Sequence, residues 1–155
     1  MSMKSRESKD NKVSISIGCD HAGYPYKEAI MELLEEKGFA VNDKGTYSSE
    51  SVDYPDFVHP VAESIERGEA HLGVLICGSG NGVAMTANKH QTIRAAICWN
   101  EDLASLARHH NNANVIAIPA RFISKDEAVK LVDIFVHESF DGGRHQRRVD
   151  KISIC

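Results

Sequence analysis

Cys77 closes an apolar run, Leu72-Gly73-Val74-Leu75-Ile76, and leads straight into Gly78-Ser79-Gly80-Asn81-Gly82. A glycine-dense turn between a buried strand and a helix exposes backbone N–H groups that can hold an anion. A thiolate beside it can remove the proton whose loss creates that anion. The other reading of Cys77 is a buried structural thiol, because free cysteine packs as a small hydrophobe. Ser79 is either a turn residue or a hydroxyl aimed at the thiol or a substrate. As a nucleotide loop the segment fits poorly: the dinucleotide fingerprint needs Gly or Ala where Val83 stands, and no phosphate-binding G-x-x-x-x-G-K motif occurs.

Three further groups carry chemistry. Asp20-His21 follows the first apolar run, where the carboxyl group either caps a helix or relays a proton between hydroxyls, with the imidazole donating to an anion. His109-His110-Asn111 ends a helical stretch, where a histidine can do no more than meet the negative helix end, the reading that fits His109. Adjacent histidines do not share a helical face, so the pair gives no metal site and none is inferred. Arg144-His145-Gln146-Arg147-Arg148 after Gly142-Gly143 is either a solvated charge cluster or a phosphate grip, since Arg144 and Arg148 fall on one helical face.

Composition narrows the classes of function. With 155 residues, 42% of them hydrophobic, the chain suits one domain with a real core. A formal net charge of -4 and scattered basic residues give no electrostatic case for nucleic acid. No apolar run approaches the roughly 20 residues of a membrane span, and Met1 to Lys12 lacks a signal-peptide core, so the expectation is a cytoplasmic protein with no membrane partner. Four cysteines without a CxxC pair suit reduced thiols better than disulfides.

These residues need elements to hold them. Residues 1–12 are polar and expected to form a disordered tail, with a single domain over 13–155. From Val13 onward, strand-like apolar runs (13–19, 39–42, 72–77, 93–98 and 115–118) alternate with helical periodicity. Pro25 opens the first helix, with Ile30, Leu33 and Leu34 facing inward and Gly38 as a stop. The second begins at either Pro55 or Pro60. The third starts in the glycine loop and runs to about Lys89. Asn100 caps the fourth, with Leu103, Leu106 and Ala107 inward, and Ser124 to Glu127 forms a capping box for the fifth. Five βα units predict a Rossmann-like, doubly wound α/β fold, a parallel sheet with helices on both faces and ligands beyond the carboxyl ends of the strands.

Read together, Gly18-Cys19-Asp20-His21-Ala22-Gly23, Asp43-Lys44-Gly45-Thr46, Asp53-Tyr54-Pro55, Ile76 to Gly82, Ala87-Asn88-Lys89, His110-Asn111 and Gly142 to Gln146 closely resemble the ribose-5-phosphate isomerase B family. Its sugar-phosphate isomerases also include enzymes of allose 6-phosphate and galactose 6-phosphate. The resemblance covers roughly residues 13 to 150. It implies a Rossmann-like homodimer with active sites at its interface, the further pairing of dimers left open, acting on a sugar phosphate with neither metal nor organic cofactor. By position, Cys77 is the base that moves a proton between C2 and C1 through a cis-enediolate, with Ser79 orienting it. The resemblance gives Gly78, Gly80, Asn81 and Gly82 the enediolate charge, and Asp20 the hydroxyl proton. His110, with Asn111 nearby, opens the sugar ring from the partner subunit. Phosphate falls to His21, Arg144, Arg148 and Arg121, and Tyr54 lines the sugar pocket. One branch of the family replaces the cysteine by a glutamate just after Gly-Asn-Gly; Val83 stands there, which leaves Cys77 as the base on this pattern. Pro119 departs from a common Gly-Ser-Arg and puts the Arg121 contact in question. Other expectations are an isomerase of a 6-phosphorylated hexose, a noncatalytic sugar-phosphate binding module and a redox sensor at Cys77.

Overall fold

A computed structural model describes residues 12–154; the expectation of a disordered tail falls, Lys12 apart, outside the described residues. Five strands form one parallel sheet: β1 (Ser14–Cys19), β2 (Ala40–Asp43), β3 (Leu72–Cys77), β4 (Ala95–Ile97) and β5 (Val115–Pro119), in the order β2-β1-β3-β5-β4. Between and after them run α1 (Tyr24–Glu36), α2 (Pro55–Glu66), α3 (Asn81–Ala87), α4 (Glu101–His109), α5 (Lys125–His137) and α6 (Arg144–Asp150). The doubly wound α/β expectation holds.

Strand alternation divides the core into two. Val74, Ile76, Ile116 and Ile118 pack with α1, α4 and α5 on one face, while Leu75, Cys77, Val115 and Ala117 pack with α2 and α3 on the other. The faces follow the direction of travel. Connections β1 to β2 and β4 to β5 step one way along the sheet and use the first face; β2 to β3 and β3 to β4 step the other way and use the second. A single crossover hand demands this division. The chain leaves β1 and β3 in opposite directions, so a crevice opens between their carboxyl ends, the switch point where such sheets bind ligands.

Local signals place most of the ends. Asn100 and Ser124 accept the Leu103 and Glu127 N–H groups at 2.9 and 3.1 Å, the caps their sequences predict. Of the two prolines that could open α2, Pro55 does so, and Pro60 sits inside the helix. Three expectations need correction. The strand expected over 93–98 shrinks to Ala95–Ile97, because it is an edge strand paired on one side only, although Ile93 and Cys98 remain buried. The third helix ends at Ala87 rather than Lys89, where the Asn88 side chain bonds the Ala95 N–H and C=O and draws the chain toward β4. Leu106, expected inward, is 41% exposed; α4 instead lays Ala104 and Ala107 into the core, small residues that let it approach closely.

Candidate active site

The carboxyl edge of the sheet gathers one set of candidates. Cys77 ends β3 with 5% of its surface exposed, packed on the α2–α3 face. Its Sγ accepts the Gly80 N–H at 3.2 Å, which puts a donor where the charge of a thiolate would sit. Gly80 adopts φ +77°, a left-handed conformation that favours glycine and lets the chain turn back over the sulfur into α3. Ser79 Oγ accepts the Asn81 N–H at 3.2 Å, so its hydroxyl organises the same turn. The Tyr54 ring lies against Gly82 so closely that a Cβ there would come within 2.5 Å of it; α2 and α3 meet through this contact. Val83 is wholly buried in the core.

The other switch-point loop stands alongside. The Asp20 N–H donates to the Ile76 C=O at 3.2 Å, tying it to the end of β3. Asp20 is 7% exposed, and its Oδ1 accepts the Ala22 and Gly23 N–H groups at 2.9 and 3.0 Å. Its Oδ2 has no partner among the described residues and is left for a ligand. The carboxylate therefore orders the turn before α1, whose cap position is Gly23, and still offers an oxygen. His21 accepts the Val52 N–H on Nδ1 at 3.2 Å, and with Asp20, Asp53 and Tyr54 it lines a cleft of about 500 Å³. Arg121 also belongs here. Pro119 pairs with Cys77 as the last residue of β5, the Arg121 N–H donates to the Gly78 C=O at 3.0 Å, and the guanidinium lies over Gly78. The proline leaves the arginine at the thiol loop.

The remaining candidates lie elsewhere. α4 starts after the carboxyl end of β4 and runs back across the face, so His110 and Asn111 lie just before Asn114, whose C=O accepts the Gly73 N–H at the amino edge of the sheet. Cys77 ends the same strand four residues beyond Gly73, roughly 13 Å away at about 3.3 Å per residue. His145 of α6 stacks on His110 with ring centroids 4.2 Å apart, and Arg144 and Arg148 project from the same short helix. Burial, and after it the neighbouring His110 and Arg144, hold His145 below the ordinary imidazole value. The candidate residues of one chain thus fall into two groups on opposite edges of the sheet.

His110, Asp141 and His145 bring possible ligand atoms within 4.8 Å of one another. Their geometry does not suit a metal. Imidazole lone pairs lie in the ring planes, and stacked rings 13° from parallel aim them side by side rather than at one point. Asp141 is already engaged by His109, and arginines flank the pair.

Several organising residues carried no sequence signal. Lys27, 4% exposed on α1, donates to both Asp43 oxygens at 2.8 and 2.9 Å and to the Thr46 C=O at 2.5 Å. That loop bonds Cys19 from both sides, through Cys19 N–H to Gly45 C=O and Thr46 N–H to Cys19 C=O, and so fixes the approach to Asp20. Arg108 donates to the Ala113 C=O, the Asn112 side chain and the Glu138 C=O, holding the Asn111 segment. A lysine at an amphipathic boundary gives no sign that it is buried until β2 sits beside it. His109 was read as a solvated helix-end cation; it is instead clamped between Glu138 and Asp141.

The whole described fold has relatives among known proteins. A family model described as Ribose/Galactose Isomerase matches residues 15–152. Ribose-5-phosphate isomerase B of Escherichia coli strain K12 is 43% identical over 139 residues, 90% of this chain and 93% of the relative. A ribose 5-phosphate isomerase structure from Thermotoga maritima is 49% identical, with a TM-score of 0.88 over 91% of this chain and 97% of the other. Ribose-5-phosphate isomerase B from Mycoplasma genitalium, solved with bound ribulose-5-phosphate, is 46% identical, with a TM-score of 0.86 over 90% of this chain and 93% of the other.

Proposed function

The chain belongs to the ribose/galactose isomerase family, and from that premise we propose that it is an aldose-ketose isomerase interconverting ribose 5-phosphate and ribulose 5-phosphate. The observation that carries the reading is the Cys77 thiol under the Gly80 amide, at the crevice between β1 and β3. Cys77 takes the proton from C2 of the open-chain aldose and returns it to C1. The electron pair left at C2 forms the C1=C2 double bond while the carbonyl π pair moves onto O1, giving a cis-enediolate that the Gly78 to Gly82 amides face. The Asp20 oxygen left free by the turn carries the proton between the O1 and O2 positions. Ser79 keeps the loop in shape, and Tyr54 lines the sugar cleft. His21 and Arg121 stand at the carboxyl edge for the phosphate.

His110, Asn111, Arg144 and Arg148 act in a neighbouring copy. A homodimer that sets the amino edge of one chain against the carboxyl edge of its partner supplies ring opening by His110 and a phosphate grip by the two arginines. The phosphate does not react; its binding energy holds the sugar where Cys77 can reach it. No helix among the described residues is long and apolar enough to cross a membrane.

The test is an isomerisation assay on ribose 5-phosphate with wild type and Cys77→Ala. Wild type turns the sugar over and exchanges the C2 proton with solvent; Cys77→Ala does neither while still binding the sugar phosphate. A fully active Cys77→Ala variant sinks the mechanism.

A further inference from the structure

His109 reaches no substrate in this reading, yet both of its ring nitrogens are committed. Nε2 lies 2.6 Å from Glu138 Oε2 and Nδ1 2.7 Å from Asp141 Oδ1, and the Asp141 N–H donates to the His109 C=O at 3.0 Å. Carboxylates accept, so both nitrogens must donate, which only the imidazolium does. The hydrogen bond His109 donates to Asp141, ahead of the one it donates to Glu138, raises its pKa above the ordinary value.

The turn these residues hold has little packing of its own. Glu138 follows the end of α5, and Gly142 and Gly143, at φ +68° and +54°, swing the chain into α6 with no atom within 4 Å of where their Cβ would stand. Its course is therefore set at its margins, by His109, by Arg108 on the Glu138 C=O and by the His110–His145 stack.

We propose that His109 is a positioning residue: by bridging Glu138 and Asp141 it sets where the 138–143 turn presents Arg144, His145 and Arg148 to the phosphate of the substrate. The proposal rests on the isomerase reading for what the arginines grip, and inorganic phosphate binding tests it without turnover.

The full chain carrying His109→Ala, His109→Gln or His109→Arg is compared with wild type in kcat and KM for ribose 5-phosphate and, by calorimetry, in affinity for inorganic phosphate. His109→Ala is expected to raise KM and the phosphate Kd together by about 5- to 20-fold, short of the 100-fold that a misplacement of an ångström can cost, with kcat within about twofold. His109→Gln keeps one donor and falls between. His109→Arg retains a cation that can reach both carboxylates and brings both quantities back to within about threefold of wild type. Glu138, Asp141, His110, His145, Arg108, Arg144 and Arg148 all face this region. The KM of wild type should rise as pH climbs past the ordinary imidazole range and His109 loses its proton. His109→Arg, which keeps the other groups, should lose that component.

Unchanged KM and phosphate affinity in His109→Ala overturn the proposal, and so does failure of His109→Arg to restore them. A lowered Tm with unaltered kinetics also overturns it, as the mark of a purely structural residue. If His109→Ala does not fold, Glu138→Gln and Asp141→Asn take its place, each expected to raise KM by part of that amount. A weakened phosphate affinity in a protein with no isomerase activity upholds the positioning role and overturns the isomerase reading.

Discussion

At the residue scale, the three thiols among the described residues have two fates. Burial pushes Cys19 up to about 11 and Cys98 up to about 12, so both stay protonated and inert at neutral pH. Cys77, at the end of its strand, meets an amide instead. The buried pair has a stability consequence. Between the ordinary thiol value of 9.0 and about 11, the unfolded chain ionises at Cys19 and Cys98 while the folded chain does not. The unfolded state then binds fewer protons, and stability falls as pH rises through that window. Urea midpoints at pH 8.5 and pH 10 should record the loss, and Cys98→Ala should shrink it. Gly82 supplies a second residue-scale prediction. A methyl group there meets the Tyr54 ring, so Gly82→Ala should displace the tyrosine and cut kcat/KM by at least about tenfold, a loss that Tyr54→Ala should not deepen when combined with it.

At the element scale, helices reach the site through their ends. The Ser124 cap predicts a loss of about 1 kcal/mol for Ser124→Ala in urea unfolding. That change should leave turnover alone, because the Ser124 hydroxyl bonds the Glu127 N–H of its own helix and no candidate site residue. Lys27 is a different case. Replacing it with Met strands the Asp43 carboxylate, 27% exposed, and removes the donor to Thr46, which should cost about 3 kcal/mol and loosen the Asp20 loop, lowering kcat with stability. Two histidines on adjoining elements titrate in opposite senses. His109, with its pKa raised, stabilises the fold below 6.5, and that contribution disappears as pH rises through its folded value. His145, with its pKa lowered, contributes above 6.5 and loses the contribution as pH falls. Comparing wild type with His109→Gln and with His145→Gln across pH 5 to 8 should reveal two opposite slopes.

At the scale of the whole molecule, the proposed homodimer predicts complementation between copies. Cys77→Ala and His110→Ala should each be inactive alone. Mixed, refolded together and paired at random, they should regain about a quarter of wild-type activity, since half the dimers are mixed and each of those assembles one intact site. Recovery of nothing would mean that a single chain supplies both Cys77 and His110 to one site, and activity in either parent alone would remove that residue from the mechanism.

The amino-acid sequence by itself determined the succession of strands and helices, because buried strands read as unbroken apolar runs and caps are local. It likewise placed Cys77, Asp20 and the glycine loop beyond the strands, since a parallel sheet sends every such loop to one edge. The short β4 and the outward Leu106 escaped it, as edge pairing and helix phase depend on neighbours distant in the chain. Only the tertiary structure decided that β5 inserts between β3 and β4 and that Lys27 is buried against Asp43. It alone turned His109 from a solvated cation into a clamp and sent His110 with the arginines to the opposite edge from the thiol. The physical reason is common to all of these: each is a contact between segments far apart in sequence, where local propensity has no say and the direction of a crossover decides which side chains meet.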